Sequence, residues 1–176
     1  VFLNYSSTLI HDFNEIDMNM ANGKSIFSYL SEAKAIQQWN PDGSPLSASQ
    51  KEYLRFYNQL AFVYKDFRAR LYEEQACYQG MAYRHFAENC DDLLLQLEWE
   101  NISVAGFNAL TTSEEIIIKK LVRMPITQVL WDVDHYYLDD SSMEAGFYMR
   151  KHITWSTEVE EQASSFFMQN DKKINI

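Results

Sequence analysis

The hydrophobic pattern of this chain changes period near Asn101, and the change limits what the chain can fold into. Before Asn101 apolar residues recur three or four apart, the spacing of one helix face, and just after it they alternate as in a strand. The expected fold is therefore mainly α with an α/β portion: a helical subdomain over residues 1–99 followed by a partial βαβ layer over 100–176.

The helical part is marked most strongly between Ser47 and Gln75, where neither Pro nor Gly interrupts a stripe of Tyr53, Phe56, Leu60, Val63, Phe67 and Leu71. That stretch predicts a rod of roughly 43 Å at 1.5 Å per residue. Ser47-x-x-Gln50 has the form of a capping box, in which each side chain satisfies the other residue's orphan amide. Upstream, Ile26, Leu30, Ala33 and Ile36 predict a helix over Ser25 to Trp39, which the stretch Asn40-Pro41-Asp42-Gly43-Ser44-Pro45 ends. Downstream, Tyr78 through Leu97 reads as another helical run, with Gly80 a weak point early in it.

Past Asn101, Ile102, Val104 and Phe107 alternate with Ser103, and Gly106 marks a sharp exit from a strand. Thr111 or Thr112, with Glu114 and Glu115 behind, predicts a capped helix through Val122, and Ile126 to Trp131 predicts a second strand. Strand, helix and strand in about thirty residues make a βαβ unit, which implies parallel strands. Ser141-x-x-Glu144 suggests one more capped helix to about Lys151, a last helix is expected over Thr157 to Met168, and the polar end from Asn170 is expected to fray. A sheet of two strands is unfinished, and the chain opens at Val1 without an initiator Met. It is accordingly expected to be an internal segment of a larger intracellular protein.

The chain carries 15 Lys and Arg against 25 Asp and Glu, a net charge of −10. Nucleic-acid affinity comes largely from neutralising phosphates, so any DNA contact has to be local. The densest run of cations, Lys51, Arg55, Lys65, Arg68 and Arg70, is expected on the solvent face of the long helix, as a charged surface or a weak DNA-binding face. No stretch approaches the roughly 20 apolar residues that span a bilayer, so no membrane contact is expected. Cys77 and Cys90 lack CxxC or metal-ligand spacing and read as buried thiols in a reducing, cytoplasmic compartment.

The stretch Val129 to Asp140 is the one that looks like chemistry. A strand delivers Asp132 and Asp134 to its carboxyl edge, where two carboxylates two apart can share a divalent cation such as magnesium. It resembles the first motif of haloacid-dehalogenase-type phosphohydrolases, in which an apolar strand ends in Asp-x-Asp-Gly-Thr. His135-Tyr136 replace the Gly-Thr, and only 36 residues follow Asp140, too few for that family's downstream Lys and acidic metal ligands. The four histidines show no HxxxH, HxH or HExxH spacing, and the five glycines form neither GxxxxGK[ST] nor GxGxxG. The functions open at this level are a metal-dependent phosphohydrolase using Asp132 and Asp134, a protein-interaction module, and a structural or DNA-path module.

Taken together, Ile102 to Glu114 (ISVAGFNALTTSE) and Val129-Leu130-Trp131-Asp132 resemble the central part of AddB-like and RecC-like subunits of bacterial helicase-nucleases. Those subunits have a strand ending in Gly-Phe, a Leu-Thr-x-x-Glu helix start and a second strand ending in Asp. Glu144-Ala145-Gly146-Phe147 with Arg150 is similar to the next segment of Bacteroidetes-type members, described as PD-(D/E)XK nuclease family proteins, and Tyr78 to Arg84 is similar to their helical region. The resemblance spans residues 47 to 151 and implies a degenerate superfamily-one helicase core, with a helical subdomain inserted before a partial RecA-like layer. In an active helicase the first strand would end in Asp-Glu and the second in Gly-Asp-x-x-Gln. Here Ala105-Gly106 stand in the first place, and Trp131 and His135 replace the Gly and Gln of the second. The resemblance thus implies no catalytic residue and no cofactor in this segment, with magnesium possible in the parent, a helicase-nuclease of double-strand-break repair. The implied partners are the remainder of its own chain, a partner helicase-nuclease subunit and single-stranded DNA.

Overall fold

The computed structural model describes residues 2–31, 43–155 and 162–169. Among them the chain is mainly helical with one small parallel sheet, as the change of period predicts. It divides into two compact units, Val1–Glu88 and Asn89–Ile176.

The first unit contains α1 (Phe2–Met18), α2 (Gly23–Ser31), α3 (Ala48–Glu73) and α4 (Gln79–Glu88). The long stripe forms α3, and the Ser47–Gln50 capping box is made: Ser47 N donates to Gln50 Oε1 at 2.8 Å and Gln50 N to Ser47 Oγ at 3.3 Å. α1 packs on α4 and α2 on α3 around Phe13, Ile16, Phe27, Leu60 and Tyr64. Phe13 meets Tyr64 edge-on with ring centroids 5.1 Å apart, a preferred aromatic geometry. The part of the expected Ser25–Trp39 helix beyond Ser31 lies outside the described residues.

α1 and α3 end alike. Met20 (φ 54°) and Gln75 (φ 53°) are left-handed, and Ala21 N donates to Ile16 O as Ala76 N does to Leu71 O, the long bond of a Schellman motif. The chain can turn back at once, although neither left-handed residue is glycine. Gly80 is no weak point. It is buried where α4 meets α1, its N–H donates to Asn14 Oδ1 at 2.6 Å, and a Cβ there would overlap the Asn14 backbone.

The second unit opens with α5 (Cys90–Leu94), then β1 (Ile102–Ala105), α6 (Thr112–Leu121), β2 (Thr127–Leu130), α7 (His135–Leu138), a 3-10 turn (Glu144–Gly146), α8 (Phe147–His152) and α9 (Phe166–Gln169). The boundary between units falls at Glu88/Asn89, earlier than the expected 99/100. Asn89 breaks the helical run, and Cys90 and Leu94 are buried in α5, which packs on α6 beside the 2.5 Å Asp91–Lys120 ion pair. β1 and β2 are parallel, with Val104 opposite Val129 and Ala105 opposite Leu130. Thr111 completes the capping box of α6 with Glu114. The core is Val129, Trp131 and Val133, with Phe107, Met149 and Ile153 packed against it.

Three expectations are corrected here. Ser141 and Glu144 make no capping box: Asp140 Oδ1 instead accepts from Ser142 N and Oγ, and Arg150 gathers the carbonyls of Tyr137, Asp140, Ser141 and Met143. Gly146 makes room for this, since a Cβ would overlap the Tyr137 carbonyl. The last stretch is no continuous helix. Ser164 pairs with Asp134 in a parallel bridge, and helix resumes only at Phe166, while residues 157–161 of that expectation and the tail from Asn170 lie outside the described residues. Cys90 is buried, but Cys77, in the loop after α3, is exposed.

Candidate functional site

The carboxyl edge of the β1–β2 sheet is where the sequence pointed. Gly106 (φ 70°) turns the chain out of β1 in a conformation that suits glycine. Beside it, Gly106, Phe107 and Asn108 from β1 and Leu130, Trp131 and Asp132 from β2 line a hollow of about 220 Å³ that Ala145 and Met149 complete. Open α/β sheets hold ligands at this edge. The Ala105-Gly106 end of β1 brings no carboxylate to it, and among the described residues Asp132 is the only charged side chain in the lining.

Asp132 and Asp134 are not brought together. Asp132 is exposed, whereas Asp134 is buried and caps α7. Its Oδ1 accepts from Tyr136 N at 2.9 Å, and its Oδ2 from Ser164 Oγ at 2.5 Å and Phe167 N at 3.3 Å. Desolvation pushes the Asp134 pKa upward, but these hydrogen bonds outweigh it and hold the carboxyl below its ordinary value. Among the described residues no group of three or more His, Cys, Asp and Glu is placed to hold a metal ion. The alternation expected of a strand fails because β2 stops at Leu130 and both Val133 and Asp134 turn inward.

The outer edge of β2 is occupied in a way that periodicity does not reveal. The Gln162 side chain donates to Val129 O at 3.0 Å and accepts from Trp131 N at 2.8 Å. Ser164 N then donates to Val133 O, and His135 N to Ser164 O.

The basic residues of α3, in the first unit, divide into three kinds. Lys51, Arg55 and Lys65 are exposed on the side opposite Leu60 and Tyr64. Arg70 is exposed but paired with Asp66 at 2.9 Å. Arg68 leaves the expected solvent face: it stands one turn past buried Tyr64, and its guanidinium reaches Tyr64 Oη at 3.0 Å and Asp17 at 3.5 Å.

That contact belongs to a cluster the sequence did not announce. Asp17 is fully buried, yet its carboxylate accepts from the hydroxyls of Tyr64, at 2.5 Å, and Tyr78, and lies 2.8 Å from Arg84 Nε. Arg84 also donates to the carbonyls of Ile16 and Ala21 at the end of α1. Burial and then the hydrogen bond to Asp17 push the Tyr64 hydroxyl up to about 12, and the same causes raise Tyr78. At physiological pH both phenols are therefore donors. One carboxylate thus ties α1, α3 and α4 together, which is a structural task. Only the spacing of Asp17 within the apolar face of α1 hinted at it.

His152 is the second buried polar group that sequence reasoning passed over. It is fully buried, neither ring nitrogen has a hydrogen-bond partner among the described residues, and its ring lies 4.4 Å from that of Trp155 and 5.7 Å from that of Phe107.

No known family matches this chain, and neither a curated protein nor a solved structure matches it. Among the described residues no helix is long and apolar enough to cross a membrane.

Proposed function

We propose that this chain is a non-catalytic structural and DNA-path module of an ATP-dependent helicase-nuclease acting in double-strand-break repair. The observation that carries the reading is the end of β1. A parallel βαβ unit follows a helical unit, and its ligand edge ends in Ala105-Gly106 where an active motor would place two carboxylates. Exposed Ser103, Ala105, Gln128 and Leu130 support the scaffold part, because parallel sheets are ordinarily covered on both faces. The remainder of its own chain and a partner helicase-nuclease subunit are the proposed cover. Magnesium and nucleotide belong to the parent's catalytic parts, and the compartment is the cytoplasm.

The DNA-path part rests on Lys51, Arg55 and Lys65, which share one exposed side of α3. Three phosphate contacts give single-stranded DNA binding whose log–log salt slope is about −2. Fluorescence anisotropy with an oligothymidine should show such binding at low salt, lost when the three residues are reversed to Glu. Salt-independent binding, or none, removes the DNA-path part. Magnesium-dependent turnover of a generic phosphoester that vanishes in Asp132→Asn would overturn the non-catalytic reading in favour of a phosphohydrolase.

A further inference from the structure

The first unit has an open groove of about 910 Å³ between α1, α2 and α3, unrelated to the basic side of α3. Its floor is the core itself, Phe13, Ile16 and Phe27, and its walls include Tyr5, Tyr53 and Phe56, which remain 58%, 41% and 43% exposed. Large aromatic side chains left this exposed around one hollow mark an interaction surface rather than scattered surface apolars.

The charge around the groove selects what fits. Among the described residues Asp12 and Glu15 are its only charged lining residues; both are acidic, both are exposed, and they stand three apart on the same side of α1. α1 itself has no Lys or Arg. From Tyr5 to Ile16 the groove runs roughly 16 Å along α1 at 1.5 Å per residue, the length of three helical turns. A second copy is the wrong occupant, because the net charge of −10 sets two copies against each other.

We infer that this groove docks an amphipathic helix of another protein segment, about three turns long, with apolar residues at i, i+3 or i+4 and i+7, and Lys or Arg three or four apart along the edge beside Asp12 and Glu15. The apolar stripe covers the exposed rings of Tyr5 and Phe56. The cations fix its direction and register against α1.

The test uses two labelled peptides of about 15 residues, long enough for some helix in water. They share a Leu and Ala face and differ only in Lys or Glu along the edge. By anisotropy at low salt the Lys peptide should bind about tenfold more tightly, the scale of two exposed ion pairs. The Asp12→Lys/Glu15→Lys double variant should reverse that preference, and Phe56→Ala should weaken the binding of both peptides, with circular dichroism confirming that each variant is folded. If neither peptide binds, or both bind equally and the double variant changes nothing, the inference is overturned. It is overturned too if sedimentation shows a dimer that Phe56→Ala dissolves, since the groove then belongs to a second copy.

Discussion

Arg84 of α4 places its Nε 2.8 Å from Oδ1 of Asp17, a carboxylate with no exposed surface at the last turn of α1. The pair is the centre of the first unit's polar interior, and Tyr64, Tyr78 and Arg68 complete its shell. Removing one partner of such a pair leaves the other charge buried and uncompensated, which costs far more than the pair itself contributes. Asp17→Asn should therefore destabilise the first unit by about 3–5 kcal/mol, read as a lower midpoint in urea denaturation at pH 7. A change below about 1 kcal/mol would show that the two arginines find other partners.

Gln75 predicts the opposite sign. It holds the left-handed position that ends α3, is exposed, and supports the Ala76 N–H bond to Leu71 O through its backbone alone. An L side chain at such a φ costs roughly 1–2 kcal/mol that glycine avoids, offset partly by glycine's greater freedom when unfolded. Gln75→Gly should raise stability by about 0.5–1 kcal/mol, visible as an increase in Tm of a few degrees.

His152 predicts a pH dependence for the second unit. Burial holds its pKa below the ordinary value, outweighing the Glu115 carboxylate, whose Oε1 lies 3.9 Å from Nε2; the charges of Lys151, paired with Glu115, and of Lys119, over the Trp155 ring, lower the pKa further. A base whose folded pKa is depressed binds more protons when unfolded, so stability rises with pH. The contribution is fully present above the unfolded value of about 6.5 and is lost as pH falls below it toward the lower folded value. Denaturation midpoints measured from pH 7.5 down to 5 should decline, and His152→Phe should flatten that decline. The depressed carboxyls of Asp134 and Asp140 act only at lower pH, as each is titrated below the ordinary Asp range.

The elements legible in the sequence were those whose signal is local. Ser47 with Gln50 and Thr111 with Glu114 satisfy their own amides within one helical turn, so both capping boxes form wherever the rest of the chain lies. Ile102 and Val104 flank Ser103, and Ile126 to Trp131 is an apolar run rich in β-branched residues, so both strands show in the sequence, and a connection of this length leaves them parallel. The hidden features depend on partners far along the chain. Asp17 looks like one more acid on a helix until Tyr64, Tyr78 and Arg84 are folded around it. Arg68 shares the charge of Lys65 but stands one turn from Tyr64, and that neighbour draws it inward. Gly80 reads as a helix breaker until Asn14 is seen pressed against it.

The candidate site divides along the same line. The carboxyl edge of the sheet, with Gly106 and Asp132, could be located from the sequence because it is set by where two strands end. Asp134 could not be separated from Asp132, because its partners Ser164 and Phe167 come from a segment with no strand pattern of its own.

The Gln162 side chain has a consequence for how the sheet can be extended. By donating to Val129 O and accepting from Trp131 N, one amide takes the hydrogen-bonding positions a neighbouring strand would use, and the Ser164 bridge continues the blockade. Among the described residues the β2 margin is thereby closed, while the far side of β1 keeps its ladder groups available. Growth of the sheet is therefore directional: among the described residues a further strand has hydrogen-bonding room beside Ile102–Ala105 and none beside Thr127–Leu130.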